Sequence, residues 1–414
     1  MSFLQSLKEL TLPEPGSVVA VAMSGGVDSS LVALLMAERN CRIVGVTMKV
    51  YDGSIQFPEG TGNGCYGPDE GEDEAACRRL CDRIGADYRV IDLSKPYKKE
   101  VLDYFRMEYQ QGRTPNPCLI CNPLIKFGLL PHALRDLGVS FDYFVTGHYA
   151  RLMAIHGDVR EGVYLAPARD PLKDQSYFLQ RLPQDVLRIS RFPLGGLRKE
   201  EVRLLARSKG LEMAEKKDSQ DFVAREDYEV LFEPQAFESG EIVDRKGQVL
   251  GKHRGIVRYT IGQRRGVGVS TGTEPLYVVS LDAPRNRVVV GREPELFAQA
   301  LGARQAVWAP RFGDKPFKAL TKIRLASKPS WATVTPGADG TVRVDFDIPQ
   351  RAIAPGQSAA FYVPLQEVSD SALPGTPQET GAPGNSPSGV TGGHRVPEHT
   401  ILVGGAIIET AVRD

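Results

Sequence analysis

The chain has 414 residues, which is too long for one compact core and predicts two or three domains. Its 51 Lys and Arg residues balance its 51 Asp and Glu residues, so no overall field attracts nucleic acid and any polyanion site must be a local patch. The N-terminal segment contains no apolar run of signal-peptide or transmembrane length, from which we expect a soluble cytoplasmic protein that does not contact the membrane.

The first informative segment is SVVAVAMSGGVDSS, residues 17–30, in which an apolar strand runs into a glycine turn and then into a helix. A turn that carries Ser24, Gly25, Gly26, Asp28 and Ser29 offers backbone N–H groups and hydroxyls at a helix N-terminus, where an anion is favoured. It is neither a Walker loop, which needs a Lys, nor the GxGxxG fingerprint. A capped turn without a ligand is the alternative, but a cap needs only one Ser or Asp. The segment therefore predicts a phosphate site.

Apolar runs alternate with amphipathic patterns as far as about residue 190. We predict strands at VVAVAM, RIVGVTM, YRVIDL and YFVTGH, with helices at SSLVALLMAER, DEAACRRLCDRIG and KKEVLDYFRMEY between them. This alternation is typical of an α/β fold with a doubly wound parallel sheet, whose ligand crevice lies at the carboxyl ends of the strands.

The second half of the chain has a different pattern. A helix is predicted at LRKEEVRLLARSKGL, followed by the basic segment HRGIVRYTIGQRRG, in which Arg254, Arg258, Arg264 and Arg265 accompany Tyr259. This segment is either a phosphate-contacting surface or a solvated face. From about Tyr277, short alternating strands predict a small β-barrel, and residues 366–400 are a flexible insertion before the last strand. We expect domains at residues 1–200, 201–275 and 276–414.

Several motifs occur in the order found in one family. They are SGGVDS, VTMKVYD, GRTPNPCLICNPLIKF, TGHYAR, KDQSYFL, KKDSQDF, YTIGQRRG and APGQSAAFY. The chain resembles the bacterial tRNA-specific 2-thiouridylases of the ATP pyrophosphatase (PP-loop) superfamily. The resemblance implies that ATP and Mg²⁺ are used to adenylate the C2 oxygen of the wobble uridine of tRNA, and that sulfur then replaces this oxygen. It also implies a sulfur donor, such as a cysteine desulfurase or a sulfur-relay protein.

The resemblance assigns roles residue by residue. It implies an ATP site formed by Ala22, Met23, Ser24, Gly25, Gly26, Val27, Asp28, Ser29, Met48 and Gly147, with Mg²⁺ held in part by Asp28. It implies tRNA contacts at Asn116, Pro117, Cys118, His148, Lys173, Asp174, Gln175, Arg324 and Gln357. Some of these residues have simpler interpretations. His148 can be a strand-end histidine whose hydrogen bonds are made within the protein, residues 173–175 can form a solvated turn, and Met48 can belong to the hydrophobic core.

All six cysteines, at positions 41, 65, 77, 81, 118 and 121, lie in the first third of the chain, which does not favour a disulfide framework. Cys118 and Cys121 form a CxxC pair in a loop stiffened by two prolines, which can present a thiolate at a fixed position. A zinc knuckle would need further ligands that this segment does not offer. The resemblance makes Cys121 the first catalytic cysteine.

The chain departs from the family at the second catalytic cysteine, which is expected in a run like DSQ-x-x-Cys-Phe. This chain reads DSQDFVARED and has no cysteine after Cys121. Either Asp221 or Val223 lies near the vacant place, or two residues are deleted and Phe222 matches the family phenylalanine.

Two replacements for the missing thiol are open. Cys118 can supply it in a persulfide and disulfide relay, which suits the CxxC spacing. Alternatively, Cys118 and Cys121 hold a [4Fe-4S] cluster together with Cys65 or Asp221. This chain lacks the second catalytic cysteine but has a cysteine at position 118. Because this exchanges one soft ligand for another, it favours the cluster. Cys77 and Cys81, one turn apart on a helix, are a further thiol source or simply core residues.

Two rival functions belong to different classes. A synthetase that adenylates a carboxylate uses the same kind of loop but would lack the CxxC segment and the barrel. A non-catalytic RNA-binding paralogue would follow from the lost cysteine, but the intact SGGVDS loop argues against decay.

Overall fold

The structure is a computed structural model that describes residues 6–58, 64–216, 222–223, 225–269, 274–365 and 395–413. The strands in these residues form three β-sheets. The strands are β1 (Leu7–Glu9), β2 (Val18–Ala22), β3 (Arg42–Lys49), β4 (Asp87–Asp92), β5 (Tyr143–Val145), β6 (Ala150–Ile155), β7 (Val163–Pro167), β8 (Ser190–Arg191), β9 (Ser239–Val243), β10 (Val249–Arg254), β11 (Tyr277–Asp282), β12 (Arg287–Gly291), β13 (Phe297–Trp308), β14 (Phe317–Lys322), β15 (Ser330–Pro336), β16 (Val342–Arg351), β17 (Ser358–Pro364) and β18 (Thr400–Val412).

The helices are concentrated in the first half of the chain. They are α1 (Val27–Glu38), α2 (Glu70–Ile84), α3 (Ser94–Tyr97), α4 (Asp103–Gln110), α5 (Cys118–Cys121), α6 (Leu130–Asp136), α7 (Ser176–Leu179), α8 (Gln184–Ile189) and α9 (Lys199–Ser208). Two π-helical segments, Lys98–Leu102 and Asn122–Leu129, join α3 to α4 and α5 to α6. Within the described residues, none of these helices combines the length and the apolar character that a bilayer-spanning helix needs.

The first domain is built on a parallel sheet in the order β4-β3-β2-β5-β8. β2 pairs with β3 on one side and β5 on the other, so the strand order reverses at β2 and a crevice opens at the carboxyl ends. Val19 and Val21 of β2 are fully buried, as expected for a central strand covered on both faces. The predicted doubly wound sheet is confirmed, and its first four predicted strands are β2 to β5.

The CxxC pair opens a continuous helical run that extends to Asp136. Pro123 and Pro131 lack an amide hydrogen, so neither can donate the bond that an α-helix requires at its position. The wider π-helical turns include the first of these prolines and end two residues before the second, and such turns are frequent at functional sites.

The last domain is a closed barrel in the order β18-β13-β16-β15-β14-β17, completed by the pairing of β17 with β18. The strands β7, β6 and β1 continue this sheet outward from β18, with Leu165 of β7 opposite Leu402 of β18. The first domain and the barrel are therefore joined by one sheet. The predicted last strand is confirmed as β18, whereas residues 366–394 of the predicted insertion lie outside the described residues.

A four-stranded sheet in the order β10-β9-β12-β11 lies between these domains in the sequence. Our expectation that barrel strands begin near Tyr277 was wrong, because β11 and β12 belong to this sheet and the barrel begins at Phe297. Alternating polarity identifies a strand, but the partner strand is set by long-range pairing with β9, which the local pattern does not encode.

Candidate active site

The predicted phosphate loop, residues 24–29, consists of the turn after β2 and the first residues of α1, and it lies at the carboxyl edge of the parallel sheet. Gly25 has a φ of 68°, and a Cβ built on it would lie 2.5 Å from Oδ1 of Asp73, so this position requires glycine. The amide of Ser24 donates to Oγ of Ser29 over 3.1 Å and folds the turn onto the helix. Among the described residues, no side chain caps the first turn of α1. Its N–H groups can therefore receive an anion.

Gly147, which follows β5, passes directly over this turn. A Cβ at Gly147 would lie 3.0 Å from the amide nitrogen of Ser29 and 3.1 Å from Cβ of Asp28, so a larger residue would press on the loop. The structure thus brings Gly147 next to Asp28 and Ser29, and the role of all three in binding ATP stays a prediction. Of the other residues assigned to ATP, Met23 and Val27 are buried, whereas Ala22 and Met48 are half-buried.

Two residues that sequence reasoning missed hold Asp28. Nζ of Lys199 donates to both carboxylate oxygens of Asp28 over 2.7 Å, and the Tyr149 hydroxyl donates to Oδ1 over 2.8 Å. The Lys199 side chain is only 10% exposed. The spacing of 171 residues between Asp28 and Lys199 explains the omission, because no local pattern connects them.

Cys118 and Cys121 occupy the two ends of the short helix α5. Oδ1 of Asn116 accepts a hydrogen bond from the amide of Cys118 over 3.1 Å and fixes the start of this helix. Cys118 is half-buried, and Cys121 is 8% exposed. Burial raises the pKa of Cys121 to about 12, and the charge of Lys126 opposes this only in part. In this conformation the Cys121 thiol is protonated at neutral pH.

The loop before the cysteines is held by the barrel. The amide of Thr114 donates to the carbonyl of Pro355 over 2.8 Å, and the side-chain amide of Gln357 donates to the carbonyl of Thr114 over 2.8 Å. Gly356 has a φ of 88°, and a Cβ there would lie 2.9 Å from the Thr114 nitrogen. The barrel therefore fixes the backbone from which α5 starts.

Three residues assigned to tRNA contact are engaged within the protein. His148 is buried with Nδ1 2.7 Å from Oγ1 of Thr146, and burial holds the pKa of His148 well below its usual value, so the ring is neutral. Gln357 is buried and holds the cysteine loop. Arg324 is half-buried and donates to the carbonyl of Ala352 over 3.1 Å. The simpler interpretation of His148 fits its position here, and direct contact with RNA requires these side chains to leave their partners.

Residues 173–175 are not the solvated turn of the simpler interpretation. Oδ1 of Asp174 accepts from the amide of Ser176 over 3.1 Å, and Lys173 is half-buried. Gln175 exchanges two hydrogen bonds with the backbone of Tyr149, at 2.8 and 2.9 Å. Because the Tyr149 hydroxyl reaches Asp28, this turn is connected to the phosphate loop.

The basic segment presents charge but no aromatic surface. Arg254, Arg258, Arg264 and Arg265 are exposed. Tyr259 is buried against His253, with ring centroids 5.7 Å apart, so the structure corrects our interpretation of it as a surface residue among the arginines. Alternation with charged residues did not reveal this burial, because Tyr259 follows a single turn of 3₁₀-helix that rotates it inward.

Two residues of the segment in which the second cysteine is expected, Phe222 and Val223, are packed in an apolar environment. Phe222 and Val223 are both buried, and the Phe222 ring lies 5.0 Å from that of Phe105. The amide of Tyr66 donates to the carbonyl of Phe222 over 2.9 Å, which brings the exposed Cys65 next to this segment.

The residues present do not fit the cluster in the form that uses Cys65. Cys65 is near enough to Cys121 to raise its pKa. Nevertheless, in the part of the chain that the structure describes, no three His, Cys, Asp or Glu side chains are grouped so as to hold a metal ion. The structure thus corrects the expectation that Cys65 completes a set of ligands with Cys118 and Cys121. The other expected ligand, Asp221, lies outside the described residues.

Comparisons with known proteins cover most of the chain. Family models described as tRNA methyl transferase HUP domain, tRNA methyl transferase PRC-barrel domain and Aminomethyltransferase beta-barrel domain match residues 17–224, 228–292 and 298–368. The tRNA-specific 2-thiouridylase MnmA of Endomicrobium trichonymphae is 42% identical over 348 residues, which are 83% of this chain and 95% of that protein. The chain belongs to the tRNA-specific 2-thiouridylase family. The relative from Geobacter metallireducens is 43% identical over 352 residues, 83% of this chain and 93% of that protein.

Membership of the tRNA-specific 2-thiouridylase family confirms the resemblance inferred from the motifs and the fold class that it implied. It supports the use of ATP. The roles of individual residues stay predictions.

Proposed function

We propose that this chain is an ATP-dependent tRNA-uridine 2-sulfurtransferase, which replaces the C2 oxygen of the wobble uridine with sulfur and releases AMP and pyrophosphate. One observation carries this proposal: the segment Gly147–His148 contacts both the predicted phosphate loop and the helical run that begins with the cysteines. Gly147 packs on Ser29 and Asp28, and the ring centroid of the next residue, His148, lies 5.5 Å from that of Phe127, in the helical run that begins with the cysteines. A nucleotide and a thiol can therefore reach the same base.

The first step activates the uridine. The open amides of α1 and the hydroxyls of Ser24 and Ser29 bind the phosphates of ATP. The C2 oxygen then attacks the α-phosphate, and pyrophosphate leaves. This turns the C2 oxygen, a poor leaving group, into part of AMP. The base has to leave its stack to reach the crevice, and in this proposal the loop with Asn116 and Pro117 receives it.

A Mg²⁺ ion would supply charge neutralisation for the departing pyrophosphate. Asp28 is a suitable oxygen ligand at the helix mouth, but its carboxylate accepts hydrogen bonds from Lys199 and Tyr149. Asp28 therefore becomes available to a cation when Lys199 withdraws.

The second step transfers sulfur. A donor protein, such as a cysteine desulfurase or a sulfur-relay protein, loads a persulfide on Cys121, and the terminal sulfur attacks C2 as AMP departs. The thiolate of Cys118 then attacks Sγ of Cys121, so that the S–S bond breaks, the transferred sulfur stays on C2 and a Cys118–Cys121 disulfide forms. A dithiol reductant supplies two electrons and restores both thiols. We place the reaction in the cytoplasm, where its tRNA substrate is available.

The test measures AMP release and 2-thiouridine together, with unmodified tRNA, ATP and a persulfide donor. Both products are expected, and each requires tRNA. AMP release without tRNA, in the presence of a carboxylate, would indicate an amide-forming synthetase instead. tRNA binding without AMP would indicate a non-catalytic paralogue. Iron and sulfide in anaerobically purified protein would favour a cluster that includes Asp221 over the thiol relay.

A further inference from the structure

The phosphate loop contains no cation of its own. Its sequence, SGGVDSS, offers amides, hydroxyls and one carboxylate. An ammonium group reaches the loop from Lys199, which donates to Asp28 and lies 171 positions after it along the chain. Because a polyphosphate carries several negative charges, the origin of the positive charge at this site determines how strongly it binds.

Lys199 is held at its backbone by Asp170, and its ammonium group contacts the phosphate loop. It is the first residue of α9, and its amide donates to Oδ2 of Asp170 over 2.9 Å. Nζ donates to both oxygens of Asp28 and lies 5.5 Å from the centroid of the Tyr149 ring. The side chain reaches the loop through four rotatable carbons, so its head can change partner while its anchor stays in place.

The positive charge of Lys199 and the negative charge of Asp28 balance each other in this ion pair. Asp28 belongs to the first turn of α1, beside the amides that face an anion. A phosphate placed there would be repelled by the Asp28 carboxylate unless a cation were close to both. Lys199 is mostly buried, which weakens its screening by solvent and strengthens its attraction to any anion in the turn.

We propose that Lys199 is a phosphate-binding residue of the nucleotide site. Asp28 holds its ammonium group before nucleotide arrives, and the group moves to the pyrophosphate portion of ATP when a divalent cation takes its place on Asp28. This inference rests on the proposed nucleotide site. A Walker loop contains its own phosphate-binding lysine, and here Lys199 supplies that positive charge from outside the loop.

The same two helices provide a matched control. Nζ of Lys209, at the other end of α9, donates to both oxygens of Glu38 at the end of α1, over 2.6 and 2.7 Å. Lys199→Met and Lys209→Met each remove one lysine that joins α9 to α1. Only the first of these lies at the phosphate loop.

The experiment measures the binding of ATP, pyrophosphate and adenosine to the full-length chain by equilibrium dialysis. Lys199→Met should weaken the binding of ATP and pyrophosphate about tenfold or more, since it removes a charge-assisted contact. Its adenosine binding should be unchanged, and Lys209→Met should bind all three ligands like the parent. Lys199→Arg, which keeps the charge, should recover part of the loss.

The outcomes separate the two proposals. If the parent protein does not bind ATP, the proposed nucleotide site is wrong. If the parent binds ATP and Lys199→Met binds it equally well, Lys199 is not a phosphate ligand. An equal loss of ATP and adenosine binding in Lys199→Met would show that Lys199 only maintains the fold.

A second variant, Asp28→Asn, should strengthen the binding of pyrophosphate. Without divalent cations, Asp28→Asn removes the competing carboxylate and releases Lys199, so pyrophosphate should bind more tightly than to the parent. The gain should disappear in the Asp28→Asn, Lys199→Met double variant. Unchanged or weaker pyrophosphate binding by Asp28→Asn, in protein that remains folded, would overturn the exchange of partners.

Discussion

The side-chain amide of Gln357, in the barrel, donates a hydrogen bond to the backbone carbonyl of Thr114, four residues before Cys118 and 2.8 Å from the donor nitrogen. The same nitrogen lies 3.5 Å from the carbonyl of Pro115. Through this contact the last domain of the chain fixes the loop of the first domain that presents the cysteines. The family resemblance assigns Gln357 to tRNA, but its position in this structure makes it a support of the cysteine loop.

Gln357→Glu should therefore lower thiolation more than adenylation. The substitution replaces a donor by a carboxylate oxygen that faces two carbonyls, at a cost of about 1–3 kcal/mol. We expect about a tenfold fall in 2-thiouridine formed per AMP released, with the dissociation constant for tRNA unchanged. Both products are measured in the same reaction by mass spectrometry.

Gln350→Glu is the control for this experiment, because the Gln350 amide bonds to Ile348 on its own strand, away from the cysteine loop. It should keep the parental ratio of the two products. A loss of tRNA binding in Gln357→Glu, with the ratio preserved, would support the direct tRNA contact instead.

Both cysteines of the CxxC pair should be required for sulfur transfer. In the proposed relay Cys121 carries the persulfide and Cys118 resolves it, so Cys118→Ser and Cys121→Ser should each abolish 2-thiouridine while tRNA-dependent AMP release continues. Cys41→Ser, at a buried cysteine packed in a different core cluster, is the control and should keep both activities. Parental thiolation by Cys118→Ser would contradict the relay.

Burial should also set the order in which these thiols react. Cys65 is exposed, Cys118 is half-buried and Cys121 is buried with its pKa raised to about 12. Alkylation by iodoacetamide, followed by peptide mass spectrometry, should therefore modify Cys121 last near neutral pH. Its rate should increase as the pH approaches this value. Modification of Cys121 before Cys65 at neutral pH would show that the thiol is not held as the structure places it.

The arginines of the central region should contribute to RNA binding through charge. Arg264 and Arg265 are exposed, so neutralising both to Gln should weaken tRNA binding and make its dependence on salt shallower by about two counterions. The measurement is the dissociation constant for tRNA over a series of salt concentrations. Arg78 and Arg79, two exposed residues of α2, are neutralised in the control. An identical salt slope in both double variants would mean that Arg264 and Arg265 form a solvated face.

The sequence predicted those parts of the molecule that short segments encode. The glycine turn before α1 and the buried strands of the parallel sheet carry their own signals in residue type and period. By contrast, the contacts of Asp28 with Lys199 and of Thr114 with Gln357 join residues 171 and 243 positions apart. Such pairs depend on the packing of whole domains, which the local pattern of a single sequence does not reveal. For the same reason, the sequence left two interpretations of His148, a buried strand-end histidine and a tRNA contact.

Glu70, the first residue of α2, lies beside the end of β3. Its Oε1 accepts hydrogen bonds from the amides of Val50 and Tyr51, at 3.1 and 3.0 Å. Its Oε2 is buried, and the described residues offer it no hydrogen-bond partner. Burial raises the pKa of Glu70 from 4.5 to about 7. The folded state therefore binds this proton more tightly than the unfolded state does.

Because the pKa is higher in the folded state, the stability that Glu70 contributes is complete below its unfolded value of 4.5 and is lost as the pH rises through about 7. Glu70→Gln keeps an acceptor for the two amides but cannot ionise. The melting temperature of Glu70→Gln minus that of the parent should be larger at about pH 8 than at about pH 5. Both melting temperatures are measured by circular dichroism. Glu72→Gln, at an exposed glutamate of the same helix, is the control, and its difference from the parent should be the same at both pH values. A difference for Glu70→Gln that is equally constant would mean that Glu70 ionises as freely in the folded protein as in the unfolded chain.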